Sequence, residues 1–461
     1  MAVAHFGNFQ VDMTNDNFLD PIVGSNFDQD PGVSLGPTEV TEFFPSGARA
    51  VIHGNFTLGL NSTITGIDMY NPPGSLPGDA LVISVTGLSG LTVGGLDNLS
   101  DSQLDDLLLG QISEVYTQGF NDIIVGTDAN EIAHAGAGDD TIQGYGGNDI
   151  LDGGTGADHM VGGTGNDTYF VDNTGDVVVE EASGGFDTEQ SSVDRTIDAN
   201  VEQLVLTGGA SNATGDDRPD ALTGNGGNNL LAGGRGGDTM AGGAGDDTYQ
   251  VDFGLDQVNE GAGQGADTIL SQVPQVLAAN VENLTLDASA GNIEGIGNAA
   301  ANTIIGNNFA NLLSGAGGND ALKGQGGDDT LLGGDGNDSL NGGLGRDALV
   351  GGAGSDHFVF DSAIASGTNV DQIMDFVKGQ DVIDLSAAIF AGVGTPDRFD
   401  GTALVSKPGA VADNGGQHII HDTNTGTLYY DADGSGAQHM VAFAQIDPGH
   451  ALAASDFHVL P

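Results

Sequence analysis

The 461 residues include no cysteine and no tryptophan, and only 9 are Lys or Arg. Without cysteine, neither a disulfide nor a thiolate-held metal can staple the fold, and the redox state of the surroundings has no hold on it. A hydrophobic share of only 38% with no tryptophan argues against one large conventional core. Repetition must do the folding. The few basic residues stand against 65 Asp and Glu, a formal net charge of -56. That balance makes nucleic acid and anionic membrane poor partners, and self-repulsion drives the chain apart unless something cationic binds it. No apolar run of membrane length is present either. The longest uncharged stretch, Ala80 to Leu96, is interrupted by Gly and Ser and rich in β-branched residues, so it reads as strand and turn. The opening MAVAHFGNFQVDMTND has no basic region, the first basic residue being Arg49, and does not read as a Sec signal peptide. Export is expected to use another signal.

What is abundant is glycine, 79 residues without the period of collagen, and carboxylates at fixed spacing. A nine-residue unit GGxGxDxUx, with U a large apolar residue, recurs in three in-phase blocks. The first, residues 135–170, reads AGAGDDTIQ, GYGGNDILD, GGTGADHMV, GGTGNDTYF, preceded by a degenerate VGTDANEIA with His134 inserted after it. The second, residues 215–250, has four units, and the third, residues 297–359, has seven. The segments between blocks, 171–214 and 251–296, echo one another in sequence and are expected to be wider β-coils continuing one solenoid. Residues 1–120 lack the repeat and show short β-like runs between Gly, Pro and Asn turns, with one short helix expected at 100–110. Residues 361–461 return to strand-like runs. The expectation is therefore all-β, with a small domain at 1–120, a repeat solenoid at 121–360 and a C-terminal cap at 361–461.

Each unit needs glycine because a six-residue turn visits left-handed backbone angles, and its xUx remainder is one short strand. In a coil of two turns and two strands, every second unit stacks on the same side. The sixth-position residues then face one another: Asp140 with Asp158, Asp149 with Asp167, Asp220 with Asp238, Asn229 with Asp247, Asp320 with Asp338, Asp329 with Asp347, and Asp338 with Asp356. Carboxylates and turn carbonyls converging this way form the oxygen-rich setting that calcium prefers. The U residues form a thin seam. Burying one such side chain gives ~1.5–3 kcal/mol, against about 1–2 kcal/mol per ordered residue in backbone entropy. Metal binding must close the gap, and the calcium-free chain is expected to be unfolded. Asn130, Asn229, Asn302 and Asn311 put a neutral amide where the carboxylate belongs.

These units resemble the RTX (repeats-in-toxin) family of bacterial type I secretion substrates, and Gly297 to Pro461 resembles the C-terminal domain of the serralysins. The resemblance implies a right-handed parallel β-roll with calcium between successive turns, secretion to the exterior or cell surface, and an export signal near Asp456-Phe-His-Val-Leu-Pro461. The run from Asp371 to Ser386 is similar to that family's cap, where Asp375 and Asp381 either add calcium ligands or close the roll as a polar end. Residues 427–438, TLYYDADGSGAQ, resemble its final hairpin, and Asp431-x-Asp433-Gly also looks like the start of an EF-hand loop, though Ala442 stands at its twelfth position.

Serralysins carry the zinc motif HExxH, which this chain lacks; His418-Ile-Ile-His421 has no general base and reads as strand alternation. No GxSxG elbow occurs. Three lysines and no long apolar helix speak against a pore-forming toxin. Two readings remain open: an extracellular structural protein that self-associates in calcium, with no enzymatic activity, or an enzyme or glycan-binding module with its site in residues 1–120.

Overall fold

The computed structural model describes residues 121–461 except 365–366, 414, 435–439 and 450. Ahead of these it gives the backbone of strands Ala2–His5, Ser34–Phe43, Arg49–Thr57, Thr63–Tyr70, Val82–Thr86 and Glu114–Tyr116. The helix expected at 100–110 lies outside the described residues. The fold is an all-β parallel solenoid, and its only helical segments among those residues are the 3-10 turns Gly401–Ala403 and Ala454–Asp456. The chain divides into two compact units, Met1–Asp216 with Asp220–Asn225, and Asp217–Pro219 with Gly226–Pro461.

The strands follow from the xUx triplets, whose period of two sends U to one face. In Thr141–Gly146 and His159–Thr164, Ile142 and Met160 are buried while Thr141 and His159 are exposed. Two parallel ladders of the first unit are built this way. One runs Ala2–His5, Asp122–Val125, Thr141–Gly146, His159–Thr164, Val177–Val179. The other follows an antiparallel meander from Ser34–Phe43 to Glu114–Tyr116, then turns parallel through Ile132–His134, Ile150–Asp152, Thr168–Val171, Thr188–Ser191, Gln203–Leu206 and Ala221–Thr223. Equivalent residues two repeat units apart are partners, as in Ile132 with Ile150 and Ile150 with Thr168.

The second unit repeats the plan. The strands from Leu230–Ala232 to Val382–Ser386, with the C-terminal Phe457–Leu460, form one parallel ladder. The facing ladder runs from Gln275–Val276 to Asp371–Ile373, then joins a hairpin of Met440–Gln445 and Thr427–Asp431. Leu284 and Ile304 of one ladder reach across to Gly295 of the other, so the seam is one side chain thick from each wall. Leu322, Leu331, Leu340, Leu349 and Phe358 are fully buried along it. The seam closes on a larger cluster in which Phe390 packs edge-on against Tyr430 and Phe443, and Phe443 against Phe360.

Both inserts continue a ladder with altered spacing. Tyr169 partners Glu189, and Glu189 partners Leu204, so a wide coil is followed by a narrow one. Tyr249, Ile269 and Leu284 do the same in the second unit. The opposite ladder stops at Val177–Val179 in one insert and at Gln257–Val258 in the other.

Candidate metal centre

The turn geometry depends on the fourth-position glycines. Gly318 and Gly327 both have φ of 109°, and a Cβ on either would lie 2.5 Å from backbone of the preceding coil. No L side chain fits there, so coils stack closely enough to share backbone amides and side chains.

On that stack the sixth-position side chains form a ladder of their own. The residues two units apart that the sequence pairs are neighbours in it, and the Oδ1 of each accepts the backbone N–H of the sixth residue one coil earlier: Asp140 N to Asp158 Oδ1 (2.8 Å), Asp149 N to Asp167 (2.7 Å), Asn229 N to Asp247 (2.7 Å), Asp320 N to Asp338 (2.8 Å), Asp329 N to Asp347 (2.8 Å) and Asp338 N to Asp356 (3.0 Å). Asp220 and Asp238 are also buried, and Asp220 accepts from Asp216 N at 2.7 Å.

The second oxygen is what matters chemically. Oδ2 of Asp140, Asp149, Asp158, Asp167, Asp247, Asp320, Asp329, Asp338 and Asp347 is buried with no hydrogen-bond donor. In every one of these but Asp140, whose unit opens on Ala135, it points at the first glycine of its own unit: a Cβ on Gly144 would collide with Asp149 Oδ2 and lie 2.8 Å from Gly162 O, and one on Gly324 would collide with Asp329 Oδ2 and lie 2.5 Å from Gly342 O. Burial, together with the like charge of neighbouring carboxylates, pushes Asp149 and Asp329 up to about 7 and Asp140, Asp158 and Asp320 up to about 6; the N–H each accepts holds the rise back. A buried oxygen that lacks a donor, resists ionisation and sits beside a carbonyl suits a hard cation. The position-six carboxylates and turn carbonyls would hold calcium, which would supply the missing positive charge.

One reading of the sequence needs correction. Asn130 is not in the ladder: the unit is Gly126–His134, with no inserted residue, and Glu131 takes the carboxylate position, its N–H reaching Asp149 Oδ1 at 2.8 Å. Thr127 donates to Glu131 through both its N–H (3.0 Å) and its hydroxyl (2.5 Å). Among the described residues Asp122 is the first rung of the ladder, its N–H 2.6 Å from Asp140 Oδ1. The signal was present in Asn121-Asp122-Ile-Ile, one unit ahead of Glu131.

The amides at 302 and 311 have a structural cause. Below Asn302 the insert presents carbonyls rather than N–H groups, and Asn302 Nδ2 donates to Val281 O (3.2 Å) and Glu282 O (3.3 Å). Asn311 Nδ2 likewise reaches Ile293 O at 3.3 Å. An aspartate would face oxygen there.

At the far end, Asp375 accepts from Gly351 N (2.9 Å) and Gly352 N (2.8 Å), and Asp381 from Asp356 N (3.1 Å) and Val377 N (2.6 Å). All four oxygens receive backbone donors, which is the work of a polar cap. His421 is buried, its value pushed down to about 4 by that burial, with Nδ1 2.9 Å from Ser406 Oγ. His418 Nδ1 lies 2.8 Å from Asp431 O. Asp431 accepts from Gly434 N at 3.0 Å and pairs with Met440 across the hairpin, and residues 435–439 of the EF-hand-like loop lie outside the described residues.

A model of the RTX calcium-binding nonapeptide repeat matches residues 116–150, 125–160, 134–169, 214–249, 296–331 and 324–358. The units are RTX calcium-binding repeats. No curated protein matches the chain. A solution structure of the AlgE6R3 subunit from the Azotobacter vinelandii mannuronan C5-epimerase is 27% identical, over 40% of this chain and 82% of that one, with a TM-score of 0.19. Within the RTX stack the structure also brings together groups that sequence reading missed, Glu180 and Asp187 beside Asp167, and Glu260 and Asp267 beside Asp247. Among the described residues no helix is long and apolar enough to cross a membrane.

Proposed function

We propose that this calcium-binding RTX protein is an extracellular structural subunit, of a surface layer, matrix or filament, and not an enzyme. The supporting observation is where its apolar surface lies. The roll buries its seam, yet large apolar side chains stand outward along its sides, on the inserts at Val177 (45%), Phe186 (50%), Leu255 (67%) and Val276 (60%) and on repeat turns at Tyr145, Phe309 and Leu344. Apolar side chains held outward on rigid coils favour lateral contacts, and calcium screens the acidic turns that would otherwise repel. Contacts that do not close on themselves give fibres or sheets.

Export by a one-step type I route fits the same picture. The serralysin-like C-terminal region carries the signal, low internal calcium keeps the chain unfolded in transit, and external calcium folds it on exit. Light scattering and electron microscopy of the full chain test the structural role. Ordered assemblies are expected in millimolar calcium and their dissolution in chelator. A protein that stays monomeric at high concentration in calcium, and whose 1–120 region binds a small ligand or glycan, would overturn it.

A further inference from the structure

The repeat turns each bring one carboxylate to a cradle of carbonyls; the inserts do something different. Asp167, Glu180 and Asp187 each place a carboxylate oxygen within 4.8 Å of the others, and so do Asp247, Glu260 and Asp267. Exposures in the first set are 1%, 7% and 0%. Val179 partners Val161, so Glu180 stands directly over Gly162, at the first position of a turn where the repeats have glycine. Its side chain therefore enters the cradle. A Cβ on Gly162 would collide at once with Asp167 Oδ2, Glu180 Oε1 and the Tyr169 hydroxyl, which marks the point where these atoms converge. Tyr169 donates to Glu180, and Tyr249 to Glu260.

Among the described residues nothing neutralises these clusters. Oδ1 of Asp187 accepts Asp167 N (2.8 Å), but Oδ2 of Asp167 and of Asp187 is buried without a donor, as are Oδ2 of Asp247 and Asp267. The one basic residue of the first insert, Arg195, is engaged with Glu189 and Asp198, and the second insert has none. Three carboxylates so placed need a cation among them. We propose that each insert binds a divalent cation, calcium in its working setting, in a three-carboxylate cage with a tyrosine hydroxyl at its rim, and that these two cages fill before the repeat turns. Ligand charge count sets calcium affinity, and the cage offers three carboxylates where a turn offers one side chain and carbonyls.

This inference rests on the calcium-binding reading of the roll, and terbium separates the two. Terbium replaces calcium and emits when excited through a nearby tyrosine; the chain has no tryptophan to confuse the signal. Titrated into the calcium-stripped full chain, the first two terbium ions should carry tyrosine-sensitised emission. Tyr169→Phe should remove about half of it and Tyr169→Phe with Tyr249→Phe nearly all, with the count of bound ions by equilibrium dialysis unchanged. Glu180→Gln with Glu260→Gln should weaken the first two ions at least about tenfold while circular dichroism in saturating calcium stays that of the parent. Early emission that survives the double Tyr variant, or early ions unaffected by the double Gln variant, overturns the cages but leaves the repeat sites standing. A parent chain that binds no calcium at all overturns both.

Discussion

Replacing Asp329 by Asn should change stability in opposite directions with and without calcium. Asp329 is 2% exposed, accepts Asn311 N at 2.7 Å through Oδ1, and has an Oδ2 that no donor reaches. Asparagine keeps the acceptor and the shape but removes the charge. In the calcium-free fold the buried carboxyl is raised from 3.8 to about 7. Ionising it at neutral pH thus costs roughly 4 kcal/mol, which we halve to about 2 kcal/mol for water entering an open turn. The amide avoids that cost, so the calcium-free fold gains about 2 kcal/mol. In calcium the balance reverses once linkage exceeds that gain: a site held at about a hundred times its dissociation constant contributes about 2.7 kcal/mol, which the variant loses along with the ion, leaving it about 0.7 kcal/mol below the parent. The assay is circular dichroism against urea, in millimolar calcium and again in chelator with trimethylamine oxide present to populate the fold. The expected result is a variant below the parent in calcium and above it in chelator. Destabilisation of similar size in both would mean that the carboxylate serves packing alone, and the cation argument would fall.

The same raised carboxylates give the calcium-free roll a pH dependence. Their folded-state values of about 6 to 7 lie above the ordinary 3.8, so their contribution is full below about pH 4 and lost as pH rises through 6 to 7. Chelator-treated protein should hold more β-structure at pH 5 than at pH 7.5, and calcium added at pH 6, with trimethylamine oxide holding the calcium-free chain folded, should release protons in a pH-stat; proton uptake would contradict the reasoning. Leu331, fully buried in the seam, should cost ~2–5 kcal/mol as Leu331→Ala, whereas exposed Lys323→Ala should stay within about 0.5 kcal/mol by urea denaturation in calcium.

The solenoid could be read from sequence because its determinants are local. Glycine at the fourth position and an apolar residue two after the aspartate fix turn and strand within a single unit, and Leu322, Leu331 and Leu340 went inward as their spacing requires. The less legible features depend on which coil lies beneath. The framing of Glu131 rather than Asn130 follows from its partner Asp149, and the need for amides at 302 and 311 from the carbonyls of the coil below. Arg195 and Glu189, joined at 2.9 Å inside the first insert, could not be inferred from the second copy, where Ile269 and Gln275 occupy those places. Glu180 looked like one acid among many until the register set it in a glycine's position.

A stack in which every second unit is a partner also limits how such a gene can change length. Gaining or losing a pair of units adds or removes one whole storey, and every side chain above keeps its face and its wall. A change of a single unit would exchange front for back, sending the aspartates of one side to stand over those of the other. One-residue slips would turn the apolar seam outward. The inserts, with a long step followed by a short one, are mezzanines: an uneven pair of floors between regular ones, and the natural places for the lineage to add new rooms without rebuilding the tower.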